Sequence, residues 1–162
     1  GRDRMRISDS IEALLKKMIE QNDGSVEITR GELAEKVKCV PSQITYVLTT
    51  RFTNGQGYLV ESRRGGGGWI RITRVVHHSS ASYLMHTLNS IGERLSQHQS
   101  TVLVENFLDY EIIDENTAGL LLSATSDRAL AALEPQVRDE VRMAVFKNML
   151  TSLITRHVSE AE

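Results

Sequence analysis

The 162 residues carry a formal net charge of −2, with 40% apolar and 25% charged side chains, which is the composition of an ordinary globular protein. The apolar stretches are shorter than the roughly 18 residues that a membrane-spanning helix needs, so we expect a soluble, cytoplasmic protein with no membrane partner. A single cysteine, Cys39, excludes an internal disulfide and fits a reducing compartment. The length allows one large domain or two small ones.

Charge is distributed unevenly along the chain. Residues 1–75 hold 13 Lys and Arg residues against 9 Asp and Glu residues, whereas residues 76–162 hold 6 against 12. Within residues 36–75 the only acidic residue is Glu61, and the basic residues are Lys36, Lys38, Arg51, Arg63, Arg64, Arg71 and Arg74. This one-sided charge predicts an anionic partner for the N-terminal half.

The N-terminal segment predicts a helix followed by a short strand. The helix is expected to begin at a cap formed by Ser8 or Asp9 and to stop at 22–24, "NDG". Its apolar stripe consists of Ile11, Leu14, Leu15, Met18 and Ile19. The alternating segment "SVEIT", residues 25–29, then predicts a strand.

Two more helices joined by a tight turn are predicted next. Thr29 and Glu32 have the spacing of a capping box, which predicts the start of a second helix. Pro41 predicts the start of a third, because the N–H that proline lacks has no partner in the first helical turn anyway. The third helix has a buried stripe formed by Ile44, Val47 and Leu48.

The opposite face of the third helix carries no charge, although a surface helix normally shows Glu and Lys there. Hydroxyl and amide side chains can approach base edges without the desolvation of a charge, so this face is a candidate for DNA readout. The residues expected to contact DNA are Ser42, Gln43, Thr45 and Tyr46. Arg51 ends the helix, where a cation also favours the negative end of the helix dipole.

The segment "SRRGGGGWIRITR", residues 62–74, places four glycines at the tip of a predicted hairpin. Four glycines cost backbone entropy unless the chain needs positive φ angles or a close approach to a partner. We expect Gly65, Gly66, Gly67 and Gly68 to lie against DNA while Arg63 or Arg64 enters the minor groove, where narrow A·T tracts concentrate negative potential.

The order helix, strand, helix, turn, helix, hairpin predicts a winged helix-turn-helix DNA-binding domain over residues 1–75. The polar segment "HHSSAS" predicts a linker, assigned to residues 76–82. The fold class is therefore an α+β N-terminal domain followed by an all-α domain of four helices over residues 83–162.

The all-α domain is expected to dimerise. Leu84, Leu88, Ile91 and Leu95 are spaced as the seam of a helix that packs lengthwise on another helix. Asp114 is predicted to cap a later helix and Pro135 to open the last one. That last helix has two apolar stripes, and the second one is expected to face another subunit. This second stripe consists of Phe146, Met149, Leu150 and Leu153.

The sequence offers little for catalysis or cofactor binding. The five histidines and one cysteine show no zinc-ligand spacing, and no GK[ST] follows the glycines as a phosphate-binding loop would require. No serine, cysteine or carboxylate stands in a recognised nucleophilic motif. We therefore expect no enzyme, no metal and no cofactor.

The segment "CVPSQITYVLTTRFTNGQGYLVESRRGGGGWIRI", residues 39–72, closely resembles the CtsR family, the class three stress-gene repressors of Gram-positive bacteria. The similarity extends more loosely over "SDRAL" and "MLTSL", and is weaker over residues 76–110. The resemblance implies a dimeric repressor of heat-shock and Clp protease genes that binds tandem repeats and senses heat through its glycine-rich wing.

The resemblance also implies roles for individual residues. The matching arginines are Arg30, Arg51 and Arg64, which in the family contact DNA and are phosphorylated by a partner protein-arginine kinase. The Clp protease degrades the family's repressors. Arg63 and Trp69 depart from the family's pattern. From the residues alone, a second hypothesis stays open, a winged-helix protein-interaction adaptor whose basic face meets an acidic protein.

Overall fold

The computed structural model describes residues 2–63 and 65–160, and for residues 2–5 and 160 only the backbone. The described chain divides into two compact units. One contains residues 2–82 and the end of the last helix from His157, and the other contains Tyr83–Arg156. Within the described residues, no helix is both long enough and apolar enough to cross a bilayer.

The N-terminal unit has the predicted order of elements. The helices are α1 (Arg2–Gln21), α2 (Arg30–Val37) and α3 (Pro41–Arg51), and the strands are β1 (Ser25–Thr29), β2 (Tyr58–Ser62) and β3 (Trp69–Arg74). A short 3-10 turn, Asn54–Gln56, joins α3 to β2. The predicted start of α1 was wrong: the helix begins at Arg2, and Ser8 is buried in its interior instead of capping it.

The three strands form an antiparallel sheet with β3 in the centre, in the order β1-β3-β2. One face of the sheet presents Ile28, Ile70 and Ile72 to a core that also contains Ile11 and Leu15 of α1. On the other face, Arg71 of β3 pairs directly with Glu27 of β1 and Glu61 of β2. One face of the sheet therefore packs against the helices, and the other face carries a row of charged side chains.

Local signals account for the helix-turn-helix. The hydroxyl of Thr29 accepts a hydrogen bond from the Glu32 N–H at 3.1 Å, which caps α2 as predicted. Lys38 ends α2 in the left-handed conformation, with φ 55°, and the Cys39 N–H donates to the Ala34 carbonyl at 2.9 Å. Pro41 then begins α3, and the predicted stripe of Ile44, Val47 and Leu48 is buried.

The C-terminal part contains α4 (Ser80–Ser90), α5 (Gln97–Asp109), α6 (Glu115–Ala124) and α7 (Pro135–Glu160). Asp114 caps α6 by accepting from the Thr117 N–H at 2.7 Å, and Pro135 opens α7, both as predicted. Because α4 begins at Ser80, the last three residues of the predicted linker, 80–82, are helical.

The prediction of one continuous helical seam from Leu84 to Leu95 was wrong. Helix α4 ends at Ser90, so Ile91 and Leu95 lie in the connection to α5. The physical reason is that the backbone of this connection bonds to α7. The Leu95 N–H donates to the Asp139 carbonyl at 3.0 Å, and the Leu95 carbonyl accepts from Arg142 at 3.0 Å.

Arg142 is completely buried and joins three segments of the C-terminal unit. Besides the Leu95 carbonyl, its guanidinium donates to the Thr125 carbonyl at 2.6 Å, to the Asp139 carboxylate at 2.6 Å and to the Asp127 carboxylate. A buried arginine is tolerated only when its donors are satisfied, and here both backbone and carboxylate acceptors satisfy them.

Most of the residues expected at the dimer interface lie in the interior of the single chain. Phe146 packs on Phe107 of α5, with ring centroids 6.4 Å apart. The buried ones are Leu84, Leu88, Ile91, Leu95, Phe146 and Leu150, whereas Met149 and Leu153 are half-buried. These six side chains are therefore core residues of one chain and do not offer a free surface. The other apolar stripe of α7, formed by Val137, Val141 and Val145, is less covered: Val137 is exposed, and Val141 and Val145 are half-buried.

Candidate nucleic-acid interface

The outer face of α3 is uncharged and exposed, as the sequence predicts. Ser42, Thr45, Tyr46, Thr49 and Thr50 are exposed, and Gln43 is half-buried. The threonine hydroxyls donate to carbonyls within the helix, for example from Thr50 to Tyr46 at 2.7 Å. Their oxygen lone pairs and methyl groups therefore remain available to a partner, which suits contacts to base-edge donors and to thymine methyl groups.

Gln43 has a structural role that the sequence analysis did not anticipate. Its side-chain carbonyl accepts a hydrogen bond from the Val40 N–H at 3.2 Å, at the start of α3. A bidentate contact with adenine needs both the carbonyl and the amide of a glutamine side chain. The bond with Val40 uses one of the two lone pairs of that carbonyl, so it restricts the orientations available to Gln43 for that contact.

Arg51 is held by two carboxylates of α1. Its guanidinium lies 2.5 Å from Asp9 and 3.3 Å from Glu12, and these two contacts connect the end of α3 to α1. The hydrogen bond that Arg51 donates to the Asp9 carboxylate is the main cause of the raised pKa of Arg51. The charge predicted to attract phosphate is thus largely balanced inside the domain.

The glycine loop follows a defined path made of two successive turns. The Gly66 N–H donates to the Arg63 carbonyl at 3.2 Å, and the Trp69 N–H donates to the Gly66 carbonyl at 3.1 Å. Gly65, Gly67 and Gly68 have positive φ angles of 72°, 63° and 84°, which favour glycine. At Gly66 the constraint is steric, because a Cβ atom there would lie 2.9 Å from the Arg63 Cβ.

The end of this loop is bonded directly to the start of α2. The Gly68 carbonyl accepts from the Arg30 N–H at 2.9 Å, which satisfies one of the free amides of the first helical turn. The Arg30 guanidinium also donates to the Ser62 hydroxyl at 3.3 Å, while its Nε is buried without a hydrogen-bond partner among the described residues. The hairpin and the helix-turn-helix are therefore joined through Arg30.

The predicted cations differ in how far they are neutralised. Arg71 makes two hydrogen bonds with Glu61, at 2.8 and 3.1 Å, and one with Glu27 at 3.3 Å, and the bonds with Glu61 are the main cause of its raised pKa. Arg63 instead places its guanidinium 4.2 Å from the centroid of the Trp69 ring. Arg64, predicted to enter the minor groove, lies outside the described residues.

Besides the role of Gln43, two features of this surface were missed by sequence reasoning. The carboxylates that balance Arg51 lie on α1, far away along the chain, and no local signal identifies them. The contact of Arg63 with Trp69 spans the glycines, and its only sequence signal is an aromatic residue directly after the loop. The described residues contain no group of three or more His, Cys, Asp or Glu side chains that could hold a metal ion.

This arrangement places the chain in the class of DNA-binding proteins that have a winged helix-turn-helix domain followed by a helical domain. The comparisons with known proteins agree with that class. A family model described as the CtsR N-terminal HTH domain matches residues 6–76, and one described as the CtsR C-terminal dimerization domain matches residues 79–151.

Full-length relatives identify the family. The chain is 44% identical to the transcriptional regulator CtsR of Geobacillus stearothermophilus, over 91% of this chain and 96% of that protein. It is 42% identical to the transcriptional regulator CtsR of Bacillus subtilis, with the same coverage. A crystal structure of CtsR in complex with a 26bp DNA duplex is 43% identical and covers 91% of this chain and 98% of that one, at a TM-score of 0.45. The chain belongs to the CtsR family, which consists of transcriptional regulators and not of enzymes.

Proposed function

We propose that the chain is a sequence-specific DNA-binding repressor of heat-shock and Clp protease genes, which acts in the cytoplasm as a homodimer on tandem-repeat operators. The observation that carries this proposal is the bond between the Gly68 carbonyl and the Arg30 N–H. Because this bond joins the glycine loop to the helix-turn-helix, α3 and the loop can meet neighbouring grooves of one duplex as a single unit.

The two parts of the surface have complementary roles in this proposal. The exposed side chains of α3 read base edges in the major groove, where donor and acceptor patterns differ for each base pair. The glycine backbone of the loop lies against the minor-groove wall, and Arg63 and Arg64 supply the cations that this groove attracts. Lys36, Lys38 and Arg74, for which the described residues provide no carboxylate partner, are available for phosphate contacts.

The DNA-binding proposal is tested by gel shift with a duplex from a Clp protease promoter that carries both repeats. Matched duplexes have one repeat or both repeats scrambled. A dimeric repressor binds the intact duplex best and loses affinity with each scrambled repeat. Arg64→Ala should weaken binding to the intact duplex while leaving the melting curve unchanged. Equal binding to all three duplexes would instead support the adaptor hypothesis, and the operator proposal would be abandoned.

Release by heat is the second part of the proposal. The four glycines give the free loop many accessible conformations, and DNA binding restricts the loop to one of them. The entropic cost of this ordering, TΔS, grows with temperature. Operator binding should therefore weaken on warming before the domain unfolds. Binding and circular dichroism measured at the same temperatures test this, and release that coincides with global unfolding would exclude the loop as the sensor.

Release by arginine phosphorylation is the third part, with Arg30, Arg51 and Arg64 as the sites. A phosphorylated guanidinium no longer attracts phosphate and adds negative charge, so it should repel DNA. At Arg51 the modification would also face the carboxylates of Asp9 and Glu12 and loosen the contact with α1. Treatment with a protein-arginine kinase, followed by peptide mass spectrometry and gel shift, tests this. Full binding by the modified protein would refute it.

Recognition by the Clp protease is proposed on the family resemblance alone, and degradation assays with purified protease would test it.

A further inference from the structure

The clearest unassigned contact in the N-terminal unit is the one between Trp69 and Arg63. Trp69 is the first residue of β3 and lies opposite Thr29 of β1. The Arg63 guanidinium lies 4.2 Å from the centroid of the indole ring. This distance falls within the range in which a guanidinium is attracted to the face of an aromatic ring.

The indole ring is itself supported by a fixed neighbour. Arg71, two residues along β3, places its guanidinium 5.7 Å from the same ring centroid. Arg71 is held in turn by the carboxylates of Glu61 and Glu27 on the two flanking strands. The backbone of Trp69 is fixed as well, because its N–H donates to the Gly66 carbonyl at 3.1 Å. The ring therefore belongs to the ordered sheet, and Arg63 belongs to the exposed loop.

The charges of the two arginines are not equivalent. The positive charge of Arg71 is balanced by two carboxylates, so Arg71 should attract a phosphate only weakly. Arg63 is exposed, and no carboxylate pairs with it in the described part of the chain. An aromatic face holds a guanidinium without neutralising its charge, and the stacked guanidinium keeps donors free at its edge. A free arginine side chain, in contrast, samples many rotamers and loses that freedom on binding.

We infer that Trp69 is a positioning residue for DNA binding: its indole ring holds the Arg63 guanidinium beside the glycine loop, in place to contact the DNA backbone or minor groove. The inference rests on the proposed function and adds a residue to it. Trp69 acts through Arg63, so replacement of the ring should matter only when Arg63 is present.

A double-mutant cycle on operator affinity tests this dependence, with Trp69→Leu, Arg63→Ala and the double variant. Trp69→Leu keeps an apolar side chain but removes the ring. We expect it to weaken operator binding about two- to fivefold in the parent. In the Arg63→Ala background it should have no further effect. Trp69→Phe, which keeps an aromatic face, should restore most of the affinity.

Controls separate positioning from a general effect on the fold. Tyr110→Leu replaces an exposed aromatic residue of the C-terminal unit and should leave operator affinity unchanged. Because Trp69 is the only tryptophan, its fluorescence reports on the contact directly, and Arg63→Ala should change the emission of the free protein. Circular dichroism melts of every variant show whether the domain is folded. If Trp69→Leu does not fold, the same cycle is made with Trp69→Val, which also lacks a ring and has a side chain suited to a strand.

The outcomes distinguish this inference from the function on which it rests. If the parent binds operator and scrambled DNA equally, the proposed function fails and the inference fails with it. If the parent discriminates but Trp69→Leu weakens binding equally with and without Arg63, only the positioning role is overturned. An unchanged tryptophan emission in Arg63→Ala would also overturn it, because the contact would then be absent in solution.

Discussion

Replacement of Gly67 by alanine tests whether the glycine loop binds DNA in the conformation described above. Gly67 has a φ of 63°, and a Cβ atom built there meets no other atom within 4 Å. The substitution therefore adds backbone strain without a steric clash. An L-residue in the left-handed region costs about 1–2 kcal/mol relative to its preferred conformations. If DNA selects the left-handed conformation, affinity should fall by about 5- to 30-fold.

The effect should be seen at every temperature. Three of the four glycines have positive φ, a conformation that alanine disfavours. Alanine should therefore oppose the bound conformation of the loop, and it should not pre-organise the free loop for binding. Gly66→Ala should also weaken binding, for the different reason that its Cβ meets the Arg63 Cβ at 2.9 Å. The assay is operator binding by fluorescence anisotropy from about 15 to about 40 °C, below the roughly 45–65 °C at which mesophilic domains unfold.

The matched control is Gly119→Ala in α6, where a Cβ also meets no atom within 4 Å and φ is not positive. Alanine in a helix should stabilise the protein slightly and leave operator binding unchanged. The reasoning is refuted if Gly67→Ala binds the operator as tightly as the parent across the temperature range. Equal losses for Gly67→Ala and Gly119→Ala would also refute it, because the loop would then have no special role.

Three more predictions concern residues that the described contacts single out. Arg142→Met removes four hydrogen bonds from the C-terminal unit, and we expect the free energy of unfolding in urea to fall by about 2–4 kcal/mol, whereas an unchanged value would refute its role as a link between helices. Asp9→Asn removes the closest carboxylate from Arg51, so operator affinity at low salt should rise about two- to fivefold, and no rise would mean that Arg51 does not approach DNA. The Thr117 N–H lowers the pKa of Asp114, so this carboxylate stabilises the fold above its unfolded pKa of about 4 and loses that contribution as pH falls through the lower folded value. The acid unfolding of Asp114→Ala should lack the loss of stability that comes from protonation of Asp114. Identical acid transitions for parent and variant would contradict the stabilising role of this carboxylate.

Local signals were sufficient to predict the helix-turn-helix. Thr29 and Pro41 act within one helical turn of their own positions, so the starts of α2 and α3 could be identified from neighbouring residues alone. The glycine run likewise pointed to positive φ angles, and three of the four residues have them. The start of α1 was missed because the residues before Ser8 continue the helix, and a serine with capping potential does not cap when the chain before it is helical.

Long-range contacts explain what could not be predicted. The spacing of Leu84, Leu88, Ile91 and Leu95 fits one helix, but it contains no information that α7 would bond to the Leu95 backbone and interrupt that helix. Arg51 has the position of a DNA contact at the end of α3, yet its neutralisation depends on how α1 packs across it. In both cases the outcome is set by a residue distant in the chain whose position only the folded structure gives.

The most direct test of the central claim is the affinity of the parent protein for the tandem-repeat operator and for a scrambled duplex, measured by anisotropy at several salt concentrations. A helix-turn-helix repressor that reads bases should bind the operator at least about 10³-fold more tightly at physiological salt. Both affinities should fall steeply with salt, because arginine and lysine contacts release counterions from the phosphates. Equal affinities for the two duplexes, or binding that does not respond to salt, would contradict the account.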